Sequence, residues 1–131
     1  MLRAGLLNVE HGWNSRLPKP GYIRADTGIV EIQERGMQTD IVLRNDEHLT
    51  IVDAKYYDAR SLGRAPGWPD IVKQLFYDIA VSSVTSTETV SGGFVFPAND
   101  DENGPFSGIN IMHRDQTVAT EFPGISCHYL S

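Results

Sequence analysis

Asp53 and Lys55 stand two residues apart in the run Ile51-Val52-Asp53-Ala54-Lys55. On a β-strand that spacing sends both side chains to one face. A second carboxylate, Asp40, follows Gln38-Thr39 and opens the apolar run Ile41-Val42-Leu43. The polar Asn45-Asp46-Glu47-His48 between the two runs reads as a hairpin loop. With that loop Arg44 falls opposite Leu49, and counting back sets Asp40 opposite Asp53. Directly opposed residues have Cβ atoms roughly 5 Å apart. Two carboxylates that close repel and weaken the strand pair. A bound cation would offset the repulsion, with the Lys55 ammonium beside it. Two acids and an amine converging at one edge of a sheet suit metal-assisted hydrolysis of a phosphodiester.

The plainer reading is a solvated strand end, because Asp-x-Lys on its own is common. Three features weigh against it. Ile51 and Asp53 alternate with Val52 and Ala54, a pattern of a central strand covered on both faces. A charged pair in such a strand is costly unless it is paired or metal-bound. The upstream Asp40 also falls in register.

The strands that would carry these residues belong to a chain of 131 residues, long enough for one domain with a real core. Apolar residues make up 40% and charged residues 21%, as in ordinary globular proteins. No apolar run approaches the roughly 20 residues of a membrane span. Leu2 to Val9 is too short and too broken for a signal peptide. The single cysteine, Cys127, has no disulfide partner within the chain, suits a reducing cytoplasm, and is expected to be a buried small hydrophobe. The net charge of −6 argues against a strong intrinsic grip on nucleic acid. Its distribution softens that: residues 1–83 carry 10 basic and 11 acidic side chains, and residues 84–131 carry Arg114 against six acids. Weak affinity for DNA, with grip supplied by another domain or subunit, is the expectation.

Along the chain, Leu6, Leu7 and Val9 read as the end of a helix broken by Gly12, Pro18 and Pro20. The start is abrupt, so residues 1–131 read as a single nuclease-like domain that is a C-terminal fragment of something larger. Thr27 to Gln33 reads as a first strand. The hairpin follows at 38–44 and 49–56, and then a polar loop with Arg60, Gly63, Arg64, Pro66 and Gly67. Pro69 to Ser83 is the clearest helix, with proline and Asp70 in its first turn. Ile71, Leu75 and Ile79, with Val72, Phe76 and Ala80, predict a broad apolar face against the sheet. On the same helix Asp70, Lys73, Gln74 and Tyr77 form a polar stripe. Gly92 to Pro97 and Ile109 to Met112 read as further strands, and the last ten residues resist assignment. The order predicts an α/β fold: a mixed central β-sheet flanked by helices, the long helix on one face and an N-terminal helix over part of the other.

At this point the chain resembles a known group. Gln38-Thr39-Asp40, then Ile51-Val52-Asp53-Ala54-Lys55-Tyr56-Tyr57, resembles the PD-(D/E)XK nuclease signature. Thr39 stands where that signature has proline. More narrowly, Asp53 to Asp58 followed by Pro69-Asp70-Ile71-Val72-Lys73-Gln74-Leu75-Phe76-Tyr77 resembles the catalytic module of LlaJI- and McrC-type restriction endonuclease subunits. The resemblance covers about residues 30–82. It implies a restriction-endonuclease-like fold in which Asp40 and Asp53 hold Mg²⁺ or Mn²⁺, with the Ala54 carbonyl as a third ligand. Glu10, on the N-terminal helix, is the candidate for a further acidic ligand. Lys55 would stabilise developing negative charge and orient the attacking hydroxide. Gln74 and Tyr77 would steady the lysine or contact DNA, alongside Lys73, and Arg60 and Arg64 are candidate phosphate contacts.

Other features carry less. Trp13 and Trp68 are expected to be packing residues, and His48 an exposed loop residue. The four histidines lack zinc spacing, and no nucleotide-binding motif is present, so any motor activity belongs to a partner. The sequence therefore points to a Mg²⁺-dependent endodeoxyribonuclease module of a cytoplasmic bacterial restriction system. A nucleotide-hydrolysing subunit would drive it and target recognition would reside elsewhere. A repair or recombination nuclease, and a non-catalytic DNA-binding or assembly module, are the alternatives.

Overall fold

The computed structural model describes residues 8–34, 36–39, 41–98 and 104–130. Asp40 lies outside them. Six strands form one mixed sheet in the order β1 (Asn8–Glu10), β4 (Ile41–Asn45), β5 (His48–Ala54), β6 (Thr89–Pro97), β8 (Ile125–Leu130) and β7 (Gly108–Ile109). Strands β2 (Gly21–Ile23) and β3 (Val30–Ile32) pair apart from it as a two-stranded ribbon. One long helix, α1 (Trp68–Ser83), joins β5 to β6, which run parallel. A parallel pair needs a crossover of this kind, because a tight turn can join only antiparallel strands.

The expected hairpin register holds over the described residues: Arg44 pairs with Leu49 and Ile41 with Val52. The loop is shorter than expected. Asn45 pairs with His48, and only Asp46 and Glu47 turn the chain, with Asp46 at φ 55. Aspartate tolerates this left-handed conformation better than most residues. His48 is accordingly a strand residue, half-buried, with ring nitrogens 2.6 Å from Thr89 Oγ1 and 2.7 Å from Ser91 Oγ.

Other expectations need correction. Residues 8–10 form an edge strand against β4, not the end of a helix. The expected first strand shrinks to Val30–Ile32 and leaves the main sheet for the ribbon. The strand expected at 109–112 is Gly108–Ile109, and Met112 makes only an isolated bridge to Val118. The unassigned C-terminal segment contains β8, an interior strand between β6 and β7. Ser126 and His128 alternate with Ile125, Cys127 and Tyr129, a half-polar pattern that does not suggest an interior strand. Among the described residues α1 is the only α-helix, so none covers the opposite face of the sheet.

The helix starts because Gly67 is extended, Pro69 fits the first turn, and Asp70 faces the positive end of the dipole. At its other end Arg16 donates to the Val84 carbonyl at 2.9 Å, and its guanidinium lies 4.0 Å from the Trp13 ring centroid. A cation placed there satisfies a terminal carbonyl and the negative pole. Beneath the helix, Trp13, Leu17, Val42, Leu49, Ile51, Ala80 and Val81 form one core cluster. Ala59, Phe94, Phe96 and Ile125 form a second, joined by Tyr57, Ile71, Leu75 and Tyr129.

The face that α1 buries differs from the expected one. Gln74 and Asp78 are buried with Ala80 and Val81, whereas Val72, Phe76 and Ile79 are exposed by 56%, 53% and 61%. Trp68, expected to pack, is also exposed, while Trp13 is buried as expected. The reason lies across the interface in Gly92. A Cβ there would collide with Gln74 Nε2 and lie 2.8 Å from Asp78 Oδ1. The bare backbone of β6 makes room for two polar side chains where a larger residue would have turned the helix.

Candidate active site

Asp53 sits near the C-terminal end of β5 and is 6% exposed. Its strand is third in the sheet of six, between β4 and β6, and Asp53 pairs with Phe94. Leu49, Ile51 and Val52 on the same strand are buried. This is the covered central strand that the alternation predicts. Lys55 follows the strand's last residue, and its backbone N–H still donates to the Val95 carbonyl at 2.9 Å. That bond extends the strand geometry by one residue and keeps Lys55 on the face of Asp53. Lys55 Nζ lies 3.1 Å from Asp53 Oδ2 and 5.7 Å from the Phe94 ring centroid.

A second carboxylate meets the same ammonium. Asp70 Oδ1, from the first turn of α1, is 2.8 Å from Lys55 Nζ. Burial alone would lower the pKa of Lys55, but its hydrogen bonds to Asp70 and Asp53 outweigh burial and hold it above the ordinary lysine value. The ammonium is therefore charged throughout the physiological range. Nearby Tyr57 has its phenol pushed up by burial and by the Asp70 charge.

Gln74 and Tyr77 fix the helix that brings Asp70. Gln74 Nε2 donates to the Ile51 carbonyl at 2.9 Å, two residues before Asp53. Tyr77 OH donates to the Gln38 carbonyl at 2.7 Å, two residues before Asp40 in sequence. The expected polar stripe on α1 thus divides. Asp70, Gln74 and Tyr77 face the sheet and the segment leading into β4, whereas Lys73 points outward with its ammonium 5.6 Å from the Tyr77 ring centroid.

Arg60 and Arg64 separate as well. Ala59 is fully buried at φ 48, and its carbonyl accepts from Tyr129 OH at 2.9 Å. An alanine held left-handed stores on the order of 1 kcal/mol, which the packed surroundings must offset. This bend sets the Arg60 guanidinium 5.7 Å from the Tyr129 ring centroid. Arg64 is exposed in the short 3₁₀ turn Leu62–Arg64.

Glu10 does not join the corner. It lies in β1, two strands from β5, with Oε1 2.8 Å from Arg44 Nε. The N-terminal helix on which it was expected is absent at that position, and the edge strand aims it along β4 instead. Ala54 closes β5 with its side chain exposed. Among the described residues no three His, Cys, Asp or Glu side chains converge closely enough to hold a metal ion. Asp53 alone among the described residues of the corner offers carboxylate oxygens not screened by the ammonium, a sparse oxygen donor set. Mg²⁺ suits such a set, since it takes one or two carboxylates and keeps waters or phosphate oxygens for the rest.

Residues 8–118 match the LlaJI restriction endonuclease family. The chain belongs to that family. The matched span contains Asp53, Lys55, Asp70, Gln74 and Tyr77, so the whole of the corner described here falls inside the family match. The chain is also 31% identical over 96 residues to the Type II restriction enzyme BsuMI component YdjA of Bacillus subtilis (strain 168), a match covering 67% of this chain. It spans about a fifth of that relative's length, 21%. No helix among the described residues is long and apolar enough to cross a membrane.

Two features escaped the sequence reading. Asp70 was legible as a residue favoured by the helix dipole but not as the partner of Lys55, because the pairing depends on where α1 docks. Gly92 read only as the start of a strand. Its signal was a glycine pair inside an apolar run, which marks a close approach of another element.

Proposed function

We propose that this chain is the catalytic module of a divalent-metal-dependent DNA endonuclease in a bacterial restriction system, with a PD-(D/E)XK-type site on a restriction-endonuclease-like fold. The observation that carries the reading is the buried Asp53 carboxylate bonded to Lys55 at the end of a central strand, in a chain of a restriction endonuclease family. Asp53 is the first ion ligand. Asp40, next before Ile41 in the hairpin whose register sets Ile41 against Val52, is the second. The Ala54 carbonyl is a third candidate. A Mg²⁺ or Mn²⁺ ion held there would polarise the scissile phosphate and lower the pKa of water.

The chain's own residues do the rest. The Lys55 ammonium faces the phosphate and stabilises negative charge as it develops on the phosphoryl oxygens. Paired with two carboxylates at 2.8 and 3.1 Å, it acts as an electrostatic and orienting group. Arg60, held over Tyr129, contacts a flanking phosphate, and Lys73 and the exposed Arg64 add weaker contacts. Gln74 and Tyr77 hold the strand and the approach to Asp40 in place. Target recognition, and a nucleotide-hydrolysing subunit that drives the nuclease, reside in the rest of a cytoplasmic multi-component enzyme.

The test is nicking of supercoiled plasmid by the full protein with its system's other components, in Mg²⁺, Mn²⁺ or EDTA. Cleavage should require the divalent ion and fall by a factor of about 100 or more in Lys55→Ala. Asp53→Asn should abolish both cleavage and calorimetric Mn²⁺ binding. Wild-type cleavage rates in Lys55→Ala, or undiminished Mn²⁺ binding in Asp53→Asn, would sink the assignment.

A further inference from the structure

Asp70 approaches Lys55 more closely than Asp53 does, 2.8 Å against 3.1 Å, and it comes from a different element. Asp53 and Lys55 share a strand, so their contact follows from the pleat alone. Asp70 reaches the ammonium only because α1 is docked by Gln74 to the Ile51 carbonyl and by Tyr77 to the Gln38 carbonyl. Lysine carries its charge on a flexible four-carbon stem, and one partner on its own strand does little to fix where that charge sits. Two carboxylates on two rigid elements define one position. Only 14% of the Lys55 side chain is exposed, so the stem has little space in which to wander while both contacts last.

An ion held by Asp53 would compete for that carboxylate, and its charge would repel the ammonium. We propose that Asp70 is the positioning residue of this site, holding Lys55 at the corner while the divalent ion occupies Asp53. The proposal rests on the reading of Asp53 as an ion ligand given above. Asp70 is not itself a ligand of that ion, because the ammonium lies between the two carboxylates and one ion could not bridge them without expelling it. Asp70 stands in the first turn of α1, and its 2.8 Å contact with the ammonium is a charge-assisted hydrogen bond from an element the ion does not touch.

The full protein and its Asp70→Asn and Asp70→Glu variants test this through three readouts. NMR relaxation of the Lys55 side chain reports its order with and without Mg²⁺. In the wild type it should stay ordered in both states. In Asp70→Asn it should become mobile when Mg²⁺ is added. Plasmid cleavage should lose about 10- to 100-fold in kcat in Asp70→Asn with KM changed less than about twofold, since misplacement of a catalytic group by an ångström has that scale of effect. Asp70→Glu should recover part of the loss. The third readout is Mn²⁺ binding, followed by electron paramagnetic resonance with Lys55 in place. Asp70→Asn should leave affinity within about threefold; a loss of tenfold or more would make Asp70 a ligand and overturn the proposal. A Lys55 signal indifferent to Asp70→Asn would refute the positioning role by itself. Absence of Mn²⁺ binding and of cleavage in the wild type would instead refute the ion site on which it rests.

Discussion

Replacing Asp78 by asparagine should flatten the dependence of stability on pH. Asp78 lies one turn beyond Gln74 on the buried face of α1, is 5% exposed, and has the Gln74 amide as the polar group beside its carboxyl. Burial pushes its pKa from 3.8 up to about 7, with the neighbouring Gln74 amide pulling weakly the other way. The group therefore keeps its proton in the folded state at pH values where the unfolded chain has lost it. Folding then takes up a proton, and stability falls as pH rises between the two values. The slope is about 1.4 kcal/mol per pH unit, and the loss levels off above pH 7 with a ceiling on the order of 4 kcal/mol. Below pH 4 both states are protonated and the penalty vanishes.

Urea unfolding of the wild type and Asp78→Asn at half-unit steps from pH 4.5 to 8.5 isolates this contribution, because other titrating groups cancel in the difference. The variant's stability relative to wild type should climb by about 2 kcal/mol between pH 5 and 6.5 and reach a plateau near pH 7.5. Any constant cost of the amide shifts the difference curve without changing its shape. Parallel curves across that range would refute the argument and require a partner for the Asp78 carboxylate.

Further outcomes follow from the same interface. Gly92→Ala should lower stability by about 1–3 kcal/mol, or roughly 4 °C in Tm for each kcal/mol, because the added Cβ runs into Gln74 and Asp78; unchanged thermal unfolding would mean the helix can lift without cost. Tyr77→Phe should cost about 0.5–1.5 kcal/mol through the lost bond to the Gln38 carbonyl, and it should weaken calorimetric Mn²⁺ binding if that bond steadies the approach to Asp40. Ala59→Gly should change stability little, since relief of the left-handed strain at φ 48 opposes the added chain entropy, whereas Ala59→Val should destabilise by more than about 2 kcal/mol in chemical denaturation.

The part of the site that lies within one hairpin was legible in the sequence. A period of two and a short turn fix which residues share a face, so Asp53 and Lys55 could be placed together, and the Arg44–Leu49 register held although the turn proved two residues shorter. The helix was legible for the same reason, with its end at Ser83 and its start one residue earlier than expected. Its orientation was not. Sorting residues by polarity sends Val72, Phe76 and Ile79 inward and Gln74 outward, and the fold does the reverse because the decisive partner, Gly92, lies eighteen residues downstream of Gln74. β8 was hidden by serine and histidine on an interior strand, where hydroxyl and imidazole groups bond to their neighbours, as Ser126 Oγ does to the Gly92 carbonyl at 3.2 Å.

The burial of Gln74 and Asp78 makes sense once α1 is seen as the element that completes the corner. An apolar helix face is held on a sheet by packing that contains no single directional bond. One residue of slippage moves a helix by about 1.5 Å, enough to part Asp70 from Lys55. A buried amide bonded to one particular carbonyl cannot slip in that way without leaving that carbonyl unsatisfied, at a cost of about 1–3 kcal/mol. Gln74 therefore fixes the register of the helix on β5 more sharply than leucine would, and Tyr77 repeats the constraint a turn later. The lost packing area reappears as exposed Val72, Phe76 and Ile79. The stability forgone on that outer face is the counterpart of a helix whose inner face sets the Asp70 carboxylate 2.8 Å from the Lys55 ammonium, itself 3.1 Å from Asp53.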